Sequence, residues 1–254
     1  MCVIIYKPKN VDLPDIETLE DCYIANDDGI GFAYRNDRGK MVLKKGYMDF
    51  WEFISDLSEI DAKKNLKKSE MIIHFRLGTH GEVNPAYTHP FPISPRKKDL
   101  FRLSGTYNMI CAHNGIISGF GDRISDNGKK SRKKPLSDTM DFVLKVVEPT
   151  IKYINNPKIV KMYENILDGD RFIIMTEKKT IRLGKWYKHE KCYFSNLNWQ
   201  WNFEDDFPYN SLKGLQICDY CGTLAETREL NNKQICDSCY NLWFSDTKKK
   251  VFTV

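Results

Sequence analysis

Short apolar strings and helix-spaced apolar residues come in runs along this 254-residue chain rather than in strict alternation. That order predicts an α+β fold built on antiparallel strands, not a doubly wound parallel sheet. Two further observations agree. Apolar runs of strand length recur at 3–6, 30–35, 41–45, 71–75, 106–112, 171–176 and 180–183. Two pairs of them are close enough in sequence to read as hairpins, the first joined by Asn36-Asp37-Arg38-Gly39.

The elements follow in order. A helix is expected over 15–25, with Pro14 just ahead of it and acidic residues in its first turn, and Asn26-Asp27-Asp28-Gly29 ends it in a turn. Phe50, Phe53, Ile54, Leu57 and Ile60 recur at helical spacing behind a candidate Asp49 cap. The lysine-rich 63–68 stretch reads as a solvated connection. Residues 78–95, rich in Gly, Pro, Asn and His, predict a long irregular loop, the kind that more often carries function than filler. His113-Asn114-Gly115 is expected to break the 106–112 strand, and 119–135 reads as a polar, basic loop. Ser137 can cap a helix whose apolar side is Phe142, Val143, Val146 and Val147. Another helix is expected over 158–167, and the aromatic 186–196 segment adds strand character. There is no internal repeat.

Composition narrows the class. A hydrophobic share of 41% and a charged share of 29% are those of a globular protein. No apolar run approaches the ~20 residues of a membrane span, and no secretory signal opens the chain, so a cytoplasmic protein that contacts no membrane is expected. The net charge of +5 is local. Lys129, Lys130, Arg132, Lys133 and Lys134 with Lys248, Lys249 and Lys250 supply eight positive charges; without them 34 acidic residues outnumber 31 basic ones. The body of the protein is therefore not a basic nucleic-acid surface. Four of the eight cysteines (Cys2, Cys22, Cys111 and Cys192) are scattered singly, which fits a reducing compartment.

Cys2 stands at the head of the first apolar run. Removal of Met1 would give it a free α-amine, placing a thiol of ordinary pKa about 8.5 and a base of about 7.7–8.0 on one residue. Three more strings accompany it: His74-Phe75-Arg76-Leu77-Gly78-Thr79-His80-Gly81, Ala112-His113-Asn114-Gly115-Ile116-Ile117 and Ser137-Asp138-Thr139. Together the four resemble the glutaminase domain of class II glutamine amidotransferases, which are N-terminal-nucleophile (Ntn) hydrolases. The strings occur in that family's order, at spacings close to those of its sugar-phosphate amidotransferases.

The resemblance implies a four-layer αββα sandwich over residues 1–209. It makes Cys2 the nucleophile that attacks the side-chain amide of glutamine, with its own α-amine shuttling the proton. Asn114 and the backbone N–H of Gly115 would form the oxyanion hole. Arg76 would grip the α-carboxylate of glutamine and Asp138 its α-ammonium, while Thr79 and His80 line the same pocket. The residue types suit a zwitterion, since a guanidinium binds a carboxylate bidentately. Two departures stand out. Leu77 replaces the aromatic residue usual after the family's arginine. Only about 50 residues follow Trp201, with no phosphate loop of the G-x-x-x-x-G-K-[ST] kind. An acceptor or synthetase site for the ammonia is therefore expected on another polypeptide.

Residues 210–254 form a second expected domain. Cys218-Asp219-Tyr220-Cys221 and Cys236-Asp237-Ser238-Cys239 are two C-x-x-C knuckles fourteen residues apart. Four thiolates at this spacing predict a ribbon-like module around structural Zn²⁺ on Cys218, Cys221, Cys236 and Cys239, with iron as the minor alternative. The glutaminase chemistry itself needs no cofactor. Whether the module binds nucleic acid or protein is open. Two rival functions stand beside a glutaminase: an Ntn-type amidase acting on another γ-glutamyl or acyl amide, and a non-catalytic zinc-containing scaffold.

Overall fold

The computed structural model describes residues 2–78, 83–121, 135–200, 215–217, 224–230 and 233–237. The chain divides into two compact units, Met1–Gln200 and Trp201–Val254. Along the first, β1 (Val3–Lys7), α1 (Ile16–Ile24), β2 (Ile30–Arg35), β3 (Met41–Tyr47), α2 (Phe50–Lys64) and β4 (Met71–Phe75) come in sequence. Next are β5 (Phe91–Pro92), α3 (Lys97–Leu100), β6 (Ser104–Tyr107), β7 (Met109–Asn114) and α4 (Asp138–Phe142). A π-helical turn (Val143–Val147) carries α4 into α5 (Glu148–Thr150), followed by α6 (Pro157–Leu167), β8 (Arg171–Thr176), β9 (Thr180–Leu183), β10 (Tyr187–His189) and β11 (Cys192–Phe194).

Among the described residues of this unit, the strands form a seven-stranded sheet in the order β10-β11-β1-β4-β2-β3-β6 and a four-stranded sheet in the order β5-β7-β8-β9. Every pairing is antiparallel. The two-residue period of a strand sends alternate side chains to opposite faces, and the apolar residues sort accordingly. Val3, Ile5, Ile30, Phe32, Ile73 and Phe75 pack with Leu19 of α1 and with Phe50, Phe53 and Leu57 of α2. Their neighbours Ile4, Ala33, Leu43 and Ile72 face Ile110, Ala112, Ile173 and Met175 of the smaller sheet. That sheet's other face, Cys111, Phe172 and Ile174, packs with Met140, Phe142, Val147 and Tyr163. Because both faces of the central strands are apolar, these strands read as unbroken hydrophobic runs rather than as alternating ones.

Helix starts follow the caps. Asp15 accepts from the Thr18 N–H at 2.7 Å, Asp49 from Glu52 at 2.8 Å and Ser137 from Met140 at 3.2 Å, each satisfying a donor that the helix leaves orphaned. The 63–68 stretch departs from the expected solvated connection. α2 runs on to Lys64, Asn65 turns left-handed, and a 3-10 turn buries Leu66 against the helix-side core. Within 78–95, a 3-10 turn (Pro85–Tyr87) and β5 give the expected loop structure of its own; 79–82 lie outside the described residues.

In the second unit, β12 (Leu215–Ile217), β13 (Leu224–Leu230) and β14 (Lys233–Cys236) make a three-stranded antiparallel sheet in sequence order. No helix among the described residues is long and apolar enough to cross a membrane.

Candidate active site

Cys2 sits one residue ahead of β1, a strand flanked by β11 on one side and β4 on the other. Since Val3 pairs with Phe75, the antiparallel register carries Cys2 toward the chain that leaves β4. There the Leu77 N–H donates to Cys2 Sγ at 3.3 Å, and Sγ lies 3.5 Å from the Leu77 carbonyl. The Cys2 carbonyl accepts from Asn196 Nδ2 at 2.7 Å. Burial pushes the Cys2 thiol up from its ordinary value, while the Leu77 hydrogen bond and the positive charge of Arg76 pull it the other way. The net direction is upward, so attack by this sulfur requires a base close at hand.

Arg76 directly follows β4 and is 9% exposed. Its backbone is fixed on both sides, N–H to the Gly29 carbonyl at 2.9 Å and carbonyl to the Asp28 N–H at 3.0 Å. Asp28 also accepts from the Gly78 N–H at 2.6 Å, which closes the 26–29 turn against the end of β4. Among the described residues the guanidinium keeps one buried nitrogen, Nη1, without a hydrogen-bond partner. An orphaned buried donor costs about 1–3 kcal/mol, and a carboxylate is the group that best relieves a guanidinium.

Asn114 ends β7 rather than following it. The expected break at His113 does not occur, because His113 and Asn114 pair with Phe172 and Arg171 of β8 and the ladder carries them. Asn114 Nδ2 donates to Ser195 Oγ at 2.9 Å, the hydroxyl that also accepts the Ile4 N–H at 2.9 Å. One of the two amide N–H groups expected to face an oxyanion is thus engaged, and Asn114 is linked through Ser195 to the same strand that follows Cys2. Gly115 adopts a φ of +152°. A Cβ there would lie 1.9 Å from Asp170 Cγ, so only glycine fits.

Asp138, the residue expected to meet an α-ammonium, opens α4. Its Oδ2 accepts the Ile117 N–H at 2.8 Å and its Oδ1 the Thr139 N–H at 2.6 Å. The carboxylate therefore fastens the segment after Gly115 to the start of α4, a task the sequence did not reveal. Thr79 and His80 lie outside the described residues, as do Cys218, Cys221, Cys239 and the basic 122–134 stretch. Cys236 is buried at the end of β14. Among the described residues no group of three or more His, Cys, Asp or Glu side chains is placed to hold a metal ion.

Behind these groups is a buried basic cluster. His74 Nε2 lies 3.2 Å from the His113 carbonyl, which makes Nε2 the protonated nitrogen of a neutral ring. Its ring packs 4.3 Å from that of His89. Burial lowers His74 to about 3 and pushes His89 the same way. Lys45 Nζ, also driven down by burial, donates to the carbonyls of Ala86, Thr88 and Leu100 and sits 4.0 Å over the Phe91 ring. Asn196, Ser195, Asp28 and Asp170 are not marked as site residues by the sequence, where Leu77 is noted for its side chain and not for its backbone. Each acts through contacts with residues far away in the chain, and no local pattern marks such a role.

No family model matches the chain. It is 30% identical over 104 residues to a Haemophilus influenzae protein named "Putative glutamine amidotransferase", a stretch that is 41% of this chain and 30% of that protein. The chain thus spans about 30% of the length of the curated relative it matches, and over those residues it is similar to a glutamine amidotransferase.

Proposed function

We propose that residues 1–200 are a class II glutaminase domain of the αββα Ntn-hydrolase kind, releasing ammonia from glutamine for an acceptor on another chain. One observation carries the reading. The thiol at the head of β1 rests on the Leu77 amide, beside a buried arginine with an unpartnered N–H. The three separate apolar layers around two antiparallel sheets and the similarity to the Haemophilus influenzae protein support it.

The chemistry follows from the residues. With Met1 removed, the α-amine of Cys2 takes the thiol proton, which answers the upward push of burial on the sulfur. The thiolate attacks the glutamine γ-carbonyl carbon, and the C–S bond forms as the carbonyl oxygen takes up negative charge. The second N–H of Asn114 and the N–H of Gly115 are the donors assigned to that oxygen, each of a kind worth about 2.7–4 kcal/mol. The C–N bond then breaks and the ammonium of Cys2 returns its proton to the leaving ammonia. Water hydrolyses the γ-glutamyl thioester to glutamate and regenerates the thiol. Arg76 binds the substrate carboxylate.

The test is glutamate release by protein whose mass shows Met1 removed. Cys2→Ala is expected to abolish it with no loss of thermal stability. Absence of glutamate release from the wild type, alone or with partner extracts, overturns the proposal. The Leu77 side chain, where an aromatic wall is expected, favours a second reading as an amidase on another acyl or γ-glutamyl amide. Hydrolysis of such amides with no response to glutamine selects that one.

A further inference from the structure

Asp170 has no part in the chemistry above, yet it meets His113, Gly115 and Ile116, the residues around and within the turn assigned to the oxyanion. Resting on that reading, we propose that Asp170 is a positioning residue that sets the direction of the Asn114–Gly115 donors. It stands immediately ahead of β8, in the Asp168-Gly169-Asp170 turn that joins α6 to that strand. Its Oδ2 accepts the Ile116 N–H at 3.0 Å and lies 3.1 Å from His113 Nε2. His113 Nδ1 lies 3.1 Å from Thr139 Oγ1, so the ring is held between the Asp170 carboxylate and the Thr139 hydroxyl. Residues on both sides of Asn114–Gly115 are thereby tied to one oxygen.

The carboxylate fills the volume beside the Gly115 Cα, where a Cβ would come within 1.9–2.1 Å of Asp170 Cγ, Oδ1 and Oδ2. Gly115 therefore rests directly against the carboxylate instead of bridging a gap. The platform is itself rigid. The Asp170 N–H donates to the Leu167 carbonyl at 2.9 Å, and a Cβ on Gly184 would lie 2.3 Å from the Asp170 carbonyl oxygen, so the residue that follows β9 packs closely against its backbone. A first contact shell held by a second, fixed one keeps donors within the few tenths of an ångström that oxyanion stabilisation demands. Asp138 grips the same segment one residue further on, through the Ile117 N–H.

The experiment compares wild type, Asp170→Asn and Asp170→Ala on the full chain. Active sites are counted by an electrophilic glutamine analogue that alkylates Cys2. Asp170→Ala is expected to lower kcat per labelled site about 10–100-fold with KM for glutamine within about twofold. Asp170→Asn keeps an acceptor oxygen of the same size and is expected to recover at least half of that loss on a logarithmic scale. A merely structural role would reduce the number of labelled sites and leave kcat per site untouched; that result, or equal loss in both variants, overturns the inference. A wild type that binds no label and releases no glutamate overturns the glutaminase reading and this inference with it. A wild type that turns over beside an unimpaired Asp170→Ala sinks the inference alone.

Discussion

The two halves of the candidate site are held in different ways. At the head of β1, the thiol is placed largely by main chain: the Leu77 amide supports the sulfur, strand pairing with β4 and β11 fixes the backbone, and Asn196 and Ser195 add side chains at the Cys2 carbonyl and the Ile4 N–H. At the end of β7, side chains do the holding. Asp170 takes the Ile116 N–H and meets the His113 ring, Thr139 meets that ring from its other nitrogen, Asp138 takes the Ile117 N–H and Ser195 the Asn114 amide. The lesson is mechanical. A strand end between two partners is positioned by its ladder, whereas a turn that leaves the ladder must be tied by whatever polar groups reach it.

The contrast can be broken by substitution, and the largest effect belongs on the turn. Gly115→Ala puts a methyl inside the Asp170 carboxylate. It should cost about 1–3 kcal/mol of stability or more and lower glutaminase kcat at least about tenfold, read by thermal unfolding and steady-state rates. A stable, active variant would show that the turn is not gripped by side chains. An intermediate effect belongs to His74, which reaches from β4 to the His113 carbonyl and so joins the two halves. Its ring stays neutral in the folded protein down to about pH 3, while an unfolded histidine takes up a proton below about 6.5. The unfolded state therefore binds more protons across that window, and stability falls as pH drops through it. His74→Gln should flatten the fall by up to about 1.4 kcal/mol per pH unit in denaturant titrations between pH 6 and pH 4. An unchanged slope would assign the proton uptake elsewhere. The smallest effect is expected at Leu77. Because its backbone carries the thiol contact, Leu77→Ala should alter kcat less than about threefold; a larger change would give the side chain a share in placing the sulfur.

The same contrast decides how much was legible in the sequence. Helix caps Asp49 and Ser137 were readable because a cap acts within three residues of itself, whereas Asp15, expected inside its helix, caps it instead. The 30–35 and 71–75 strands were readable because both faces are apolar. Asn114 was expected to break its strand, since Asn-Gly signals a turn in isolation and only the β8 partner makes it strand. Ser195 and Asn196 reach Asn114 and Cys2 across 81 and 194 residues, and Asp170 reaches Ile116 across 54. No spacing rule spans such intervals. The residues assigned to the chemistry were recognised by their order along the chain; those that hold them were not.

Where β1 lies within its sheet also bears on synthesis. The Ile4 amide waits for a hydroxyl 191 residues downstream, and the Cys2 carbonyl for an amide three positions further away. A ribosome delivers the sulfur 194 residues ahead of Asn196, so the nascent thiol stays without that contact until β11 has been made. Reactivity would switch on late, when β11 docks and the long-separated ends meet.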